Sequence, residues 1–255
     1  MVDTRTLIAP AALALLCSFA LPAQASDEPR PWSFNAGFRV WHNEWDANSF
    51  PFSSNLPPGN NQTTQRTVSH VRDSKTMIIP MVSARYGDWA LTATSTMPRS
   101  FNLADGITSI NVPRSESDVS LSYYITPQIS VGIGQKHISW TNIRIRGPVA
   151  SLGLAAPLQQ GLTLYSGLGL GRLRSKNTVE NSELSISYFV GEAGLAYSLG
   201  ALDSRLSNFT ALLAYRNQRV TAHDVGLSDS LGRIYTQSDV SDVTSGPVLG
   251  LTARF

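Results

Sequence analysis

Residues 26–255 of this chain contain no cysteine. The one cysteine, Cys17, lies in an apolar run near the start, between Arg5 and the small-x-small triplet Ala23-Gln24-Ala25. These features are typical of a secretory signal, so we expect residues 1–25 to be cleaved and residues 26–255 to form a single domain. A chain without cysteine has no disulfide scaffold, cysteine nucleophile or thiolate metal site.

Long apolar runs and a strong net charge are missing as well. No stretch after residue 25 approaches the roughly 18 uncharged apolar residues of a membrane-spanning helix. The net charge is +2, which gives no reason to expect nucleic-acid binding. The four histidines lack the spacing of metal ligands, and no nucleotide-binding glycine motif is present. We therefore expect neither a metal nor a cofactor.

Alternation of apolar and mixed residues recurs along the chain instead. In the first segment, Trp32, Phe34 and Phe38 share one face of an extended strand, while Arg39 and Trp41 fall on the other. We predict ten strands on this pattern, at 32–41, 75–86, 89–97, 117–125, from 129, 148–156, 162–171, 184–199, 208–216 and 249–255. A wall between lipid and an inner lumen requires this arrangement of side chains.

The predicted connections alternate in length. The even connections are short turns, at 87–88, 126–128, 157–161 and 200–205, and the odd ones are mostly longer, at 42–74, 98–116, 139–147, 174–183 and 219–242. Short turns at one end and longer loops at the other characterise transmembrane barrels, whose strand number is even. The sequence therefore predicts an all-β, antiparallel up-and-down transmembrane β-barrel with both termini at the short-turn end.

Aromatic residues and the C-terminus support the same architecture. Trp32, Tyr86, Trp89, Tyr123, Tyr197 and Phe255 all fall near the predicted short-turn end, as in an aromatic girdle. The ending Val248-Leu249-Gly250-Leu251-Thr252-Ala253-Arg254-Phe255 resembles the terminal signature of Gram-negative outer-membrane β-barrels. The resemblance implies an outer-membrane location, with Phe255 as an assembly signal for the barrel-assembly machinery. It selects no porin, enzyme, adhesin or structural protein.

Charged residues on the predicted inward face form a candidate lumen network: Arg39, Asp118, Lys136, Glu192, Arg216 and Arg254. Barrel closure makes the first and last strands neighbours, so a carboxylate can pair with several guanidinium groups. Such a network is either structural or the lining of a narrow pore. The sequence favours a non-enzymatic function: a narrow channel, or a protein of surface interaction and membrane integrity.

His137 and Ser139 provide the alternative, a lipid-facing hydrolase. They are two apart on a strand, share the outward face, and are similar in outline to the His-x-Ser of lipid A deacylase barrels. No carboxylate is well placed to orient the imidazole. His223 with the acidic residues Asp229, Asp239 and Asp242 suggests a protease only weakly, because a solvated acidic loop explains this segment more simply.

Five cations near the predicted outer rim form a candidate patch for anionic lipid: Arg144, Arg146, Arg172, Arg174 and Lys176. Arginine suits phosphate because its planar group donates two hydrogen bonds at once. Ordinary solvated loop charge is an equally good explanation. The expected partners are outer-membrane lipid and lipopolysaccharide.

Overall fold

The computed structural model describes residues 32–47, 71–104, 109–141, 143–159, 161–177, 183–228 and 234–255. The predicted signal at 1–25, Asp229 and most of the connection 42–74 lie outside these ranges. The strands are β1 (Trp32–Ala47), β2 (Val71–Tyr86), β3 (Trp89–Ser95), β4 (Arg99–Ala104), β5 (Ser109–Thr126), β6 (Ile129–Trp140), β7 (Ile143–Gln159), β8 (Leu162–Asn177), β9 (Glu183–Ser198), β10 (Phe209–Ser228) and β11 (Ile234–Arg254).

The strands form one closed antiparallel barrel. Consecutive strands pair with each other, except that β3 and β4 both pair with β5, and β1 closes the barrel by pairing with β11. β3 and β4 are two halves of one broken strand, so the wall has ten strands and the predicted up-and-down barrel is confirmed. Two short 3-10 helices, Leu199–Ala201 and Ser204–Leu206, occupy the connection before β10. No helix in the described ranges is long and apolar enough to cross a membrane.

An apolar belt surrounds the half of the barrel that carries the termini, which we call the near end. On β11 the outward positions from Pro247 to Phe255 are proline, leucine, leucine, alanine and phenylalanine, and this stretch matches the 9–11 residues of a membrane-crossing strand. Phe255 pairs with Phe34 and is 71% exposed. Trp32 opposes Tyr86, and Trp89 opposes Tyr123, which gives the predicted aromatic girdle on these strands.

The strands continue well past the belt at the opposite, far end. Much of the predicted connections at 98–116, 139–147, 174–183 and 219–242 is strand, and only two residues separate β6 from β7. The predicted connections were too long, because beyond the belt the apolar residues lie on the inward face and the polar residues on the outward face. On β1, for example, Trp45 is buried inside whereas His42 and Glu44 are exposed outside.

The break between β3 and β4 covers residues 96–98 and ends at Pro98. Proline has no N–H to donate to a ladder, and the chain gains one residue relative to β5 between the pairs Ser95–Ser117 and Arg99–Arg114. Beyond the break, β4 is joined to β2 through Asp73, whose carboxylate accepts the backbone N–H of Asn102 at 2.6 Å.

The interior of the barrel is filled with side chains. At the far end a buried apolar group lines the inside of several strands: Trp45, Ala47, Val71, Met77, Phe101, Leu103, Val112, Ile138, Trp140, Ile145, Val149, Leu173, Ile186, Tyr188, Val190 and Val220. A smaller group lies nearer the termini: Trp41, Ile79, Tyr165, Ala196, Leu212, Ala214 and Val248. Two clusters of charged residues lie among these apolar groups.

Candidate functional site

The first charged cluster is centred on Glu192. Its carboxylate accepts hydrogen bonds from Arg39 Nη1 at 3.0 Å, from Arg216 Nη1 at 3.4 Å and from the Tyr165 hydroxyl at 3.1 Å. β1, β8, β9 and β10 supply these four side chains, so barrel closure is what brings Arg39 to Glu192. The guanidinium group of Arg216 also lies 5.2 Å from the ring centre of Trp41.

The second cluster, centred on Glu116, lies farther from the termini. Arg114 Nη2 lies 2.6 Å from one carboxylate oxygen of Glu116, and Lys136 Nζ lies 2.7 Å from the other. Lys136 also bonds Asp118 at 2.9 Å, and the amide of Gln218 donates to Glu116 at 3.0 Å. Glu116, Arg114 and Lys136 are at most 4% exposed, so this is a buried ionic cluster.

The two clusters are linked through Arg216. Its Nη2 donates to the side-chain oxygen of Gln218 at 3.3 Å, and the Tyr188 hydroxyl donates to the same oxygen at 2.9 Å. Of the predicted network, Arg39, Glu192 and Arg216 therefore meet in one cluster and Asp118 with Lys136 in the other. Arg254 pairs in register with Asn35, four positions along β1 from Arg39 and toward the termini.

Sequence reasoning missed the residues at the centre of the second cluster. Arg114 and Glu116 lay in the predicted connection 98–116, and Gln218 lay beyond the predicted end of its strand. Their outward neighbours are a proline and several polar residues, so the apolar alternation that marks a membrane strand is absent there. The available signal was parity: Glu116 and Asp118 are two apart on an extended chain, and therefore share one face.

Aromatic packing closes the lumen above the second cluster. Trp45 stacks edge-on against Phe101 at 5.1 Å and lies 5.4 Å from Trp140. Arg114 lies 4.8 Å from the ring centre of Trp45, so the guanidinium joins the ionic cluster to the aromatic cap. Below them a cavity of about 50 Å³, lined partly by Arg39 and Arg216, is large enough for water.

The predicted basic patch lies on the outer surface of β7 and β8. Arg144 opposes Lys176 and Arg146 opposes Arg174 in register, and Arg172 is on the same face. All five side chains are exposed. Arg172 is the first outward position beyond Leu170, where the apolar belt of β8 ends. These cations belong to strands rather than to loops, and their spacing is therefore fixed by the sheet.

His137 and Ser139 face outward on β6. His137 is exposed and Ser139 half-buried, and their cross-strand neighbours on β7 are Arg146 and Arg144. Within the side chains that the structure describes, no hydrogen bond joins His137 to Ser139.

The acidic segment before the last strand was interpreted wrongly as a solvated loop. Asp239 and Asp242 lie within β11, and Asp242 is buried inside the barrel at 2% exposure. Asp239 faces outward and contacts His223 Nδ1 at 3.0 Å. The loop interpretation failed because β10 and β11 extend about a further ten residues beyond the apolar belt while keeping their pairing.

Comparisons with known proteins bear on the fold. No family model matches the chain, and no curated protein matches it. The outer membrane protease OmpT from Escherichia coli is similar in structure, with 9% identity, a TM-score of 0.50, and coverage of 92% of this chain and 100% of that one. The P. putida toluene transporter TodX matches at 8% identity and a TM-score of 0.34, covering 89% of this chain and 90% of that one. Ail, the attachment invasion locus protein of Yersinia pestis, matches at 12% identity and a TM-score of 0.30, covering 88% and 98%.

Proposed function

We propose that this protein is an integral outer-membrane barrel that binds anionic, phosphate-bearing lipid of the outer leaflet, such as lipopolysaccharide, on the outside of its wall. The observation that carries the proposal is the in-register pairing of Arg144 with Lys176 and of Arg146 with Arg174. Like charges directly opposite each other on a sheet are destabilising, so two such pairs side by side favour an anion between them.

The position of these pairs suits a lipid phosphate. They lie just beyond the apolar belt, at the level where a bilayer changes from hydrocarbon to headgroups. Among the side chains that the structure describes, no carboxylate forms a salt bridge with Arg144, Arg146 or Arg174, whereas Lys176 is in register with Glu183 on β9. A phosphate bound between β7 and β8 can accept paired hydrogen bonds from Arg146 and Arg174. A mobile counter-ion would make such bonds only transiently.

The filled lumen supports a surface role over a channel. Ion pairs occupy the middle of the barrel, and the Trp45, Phe101 and Trp140 rings close it toward the far end. A barrel of about eight strands has an interior that side chains can fill, whereas about sixteen strands leave an aqueous channel. We therefore expect no stable single-channel conductance from the purified protein in planar bilayers.

The proposal is tested by replacing Arg144, Arg146 and Arg174 with glutamine. Each cation near an anionic lipid surface contributes about 1 kcal/mol, so three of them correspond to roughly 100-fold in affinity. The measurement is lipopolysaccharide bound per folded barrel, by co-purification and by titration with lipid A, at low and at high salt. Wild-type binding should weaken as salt rises, because salt screens exposed charges.

A second triple variant controls for loss of positive charge. Arg72, Arg99 and Arg205 are exposed cations on other parts of the wall and its connections, and their replacement by glutamine removes the same charge. This control should bind lipid A as the wild type does, and dephosphorylated lipid A should bind both proteins weakly. Equal binding by the patch variant and the wild type at both salt concentrations would refute the proposal.

A further inference from the structure

Three side chains on the outer wall form a linked hydrogen-bonded series. The Ser187 hydroxyl oxygen lies 2.8 Å from His223 Nε2, and His223 Nδ1 lies 3.0 Å from a carboxylate oxygen of Asp239. The three residues come from the adjacent strands β9, β10 and β11. Their side chains face outward, and His223 is 41% exposed and Asp239 60%.

The carboxylate fixes the roles of the two ring nitrogens. An ionised carboxylate only accepts hydrogen bonds, so Nδ1 of His223 carries the proton that is donated to Asp239. In the neutral imidazole Nε2 is then an acceptor, and the Ser187 hydroxyl donates to it. A serine that donates to a histidine held by a carboxylate is the arrangement that activates the hydroxyl as a nucleophile.

A β-bulge produces this arrangement. Ala222 pairs with Val240 and Val225 with Ser238, so His223 and the next residue together oppose the single residue Asp239. The extra residue turns His223 toward Asp239 on one side and toward Ser187 on the other. Bulges are over-represented next to active sites because they redirect a side chain in this way.

The surroundings of Ser187 indicate the substrate. On β9, Ser187 is the first outward position beyond Phe189, where the belt of that strand ends, and its partner across β8 is Arg172. The paired cations of β7 and β8 begin one strand away, roughly 5–10 Å from Ser187. A lipid whose phosphate rests on those cations therefore presents its acyl esters at the level of Ser187.

We infer that Ser187, His223 and Asp239 form a catalytic triad that hydrolyses an acyl ester of a phosphate-bearing lipid in the outer leaflet. For its substrate class, this inference rests on the proposed function. Ser187 Oγ attacks the ester carbonyl carbon while His223 Nε2 takes the hydroxyl proton. The C–O bond to the lipid alcohol breaks, the alkoxide receives that proton, and the acyl group remains on Ser187.

Water completes the cycle. His223 takes a proton from a water molecule, which attacks the acyl-serine carbonyl, and Ser187 leaves with that proton as the fatty acid departs. Asp239 keeps the imidazole oriented and stabilises its charged form during both steps. Arg172, across from Ser187, supplies donors for the negative charge that develops on the carbonyl oxygen.

The first experiment treats the folded full-length barrel in detergent with a fluorophosphonate probe, which labels activated serines and needs no lipid. We expect the label on Ser187, identified by mass spectrometry, with loss of labelling in Ser187→Ala and strong reduction in His223→Asn. Ser74→Ala is the matched control, because Ser74 is an exposed, outward-facing serine on β2, away from the proposed triad, and it should label as the wild type does. An unlabelled wild type, or label retained by Ser187→Ala, overturns the triad.

The second experiment measures fatty-acid release from lipid A and from anionic phospholipid in mixed micelles. The wild type should release fatty acid, and both Ser187→Ala and Asp239→Asn should lower kcat by at least 100-fold with heat-modifiable folding intact. Loss of fatty-acid release in Ser139→Ala but not in Ser187→Ala would assign the chemistry to Ser139 and overturn the triad. Labelling of Ser187 without lipid binding refutes only the proposed function, whereas lipid binding without labelling refutes only the triad.

Discussion

Replacing Glu116 with glutamine tests how the buried ionic cluster stabilises the barrel. The carboxylate accepts from Arg114, Lys136 and Gln218, at distances of 2.6, 2.7 and 3.0 Å. Glutamine keeps the shape but removes the charge and directs an amide donor at one of these cations. Breaking a buried pair from one side costs about 3–5 kcal/mol, because it leaves an uncompensated charge inside.

The assay is reversible urea unfolding of the barrel in lipid vesicles, followed by tryptophan fluorescence. A loss of about 3–5 kcal/mol corresponds to a change in the unfolding constant of roughly 150- to 5000-fold. Glu44→Gln is the control, since Glu44 contacts Arg72 at 3.7 Å in an exposed pair, and it should change stability by at most about 1 kcal/mol. A Glu116→Gln barrel as stable as the control would refute this account of the cluster.

Three further predictions concern the wall and its assembly. Gly194→Ala should destabilise the barrel by about 1–3 kcal/mol, because a Cβ there meets the backbone of the paired strand, 2.6 Å from Ala214 Cα; Gly191→Ala, whose nearest contact is at 3.5 Å, should leave the urea midpoint nearly unchanged. Burial acts to raise the pKa of Asp73, but hydrogen bonds from Asn102 and from Lys75 outweigh it and hold that pKa below its ordinary value. The carboxylate therefore stabilises the fold above that value and loses its effect as pH falls, so the stability gap between wild type and Asp73→Asn should close in acid titrations of unfolding. Deleting Phe255 should slow membrane insertion and lower the amount of heat-modifiable barrel in cell envelopes, with Phe255→Tyr as the control; unchanged amounts would remove its role as an assembly signal.

The sequence predicted the membrane-crossing part of the fold because lipid imposes one rule there. Outward positions such as Phe34, Leu121 and Leu249 must be apolar, so period-two alternation marks these strands directly. Closure also followed from an even strand number with both termini at one end. These features depend only on the local sequence pattern and on the number of strands.

The sequence did not predict the far half of the barrel, because the outward positions there are polar and the inward positions are apolar. Beyond the belt the outside meets water and the inside packs as a core, so Trp45 and Trp140 are buried while Glu44 and Ser139 face outward. A segment whose apolar residues lie on the inward face does not match the membrane-strand pattern, and the sequence therefore predicted a loop there. The alternation itself continues along these strands, but the apolar residues move from the outward to the inward face. Recognising that change would have led to longer predicted strands.

The contact of His223 with Ser187 and Asp239 could not be derived from sequence spacing. It depends on the pairing of β10 with both of its neighbours and on a single extra residue in one ladder. Shifting a strand by one residue moves every side chain to the other face, so such a contact is fixed only when the register is known. Asp239 alone, far from His223 in the chain, gave no indication of this partner.

The length of the strands determines how far the protein stands above its membrane. β11 has 21 residues, and at about 3.3 Å per residue and a tilt of roughly 40° it rises about 50 Å, against an apolar belt of about 25 Å. The far end of the barrel therefore projects about 25 Å beyond the belt. The strand faces beyond the belt therefore provide a paired, ordered surface for contacts outside the hydrocarbon, and such contacts do not depend on the connections alone.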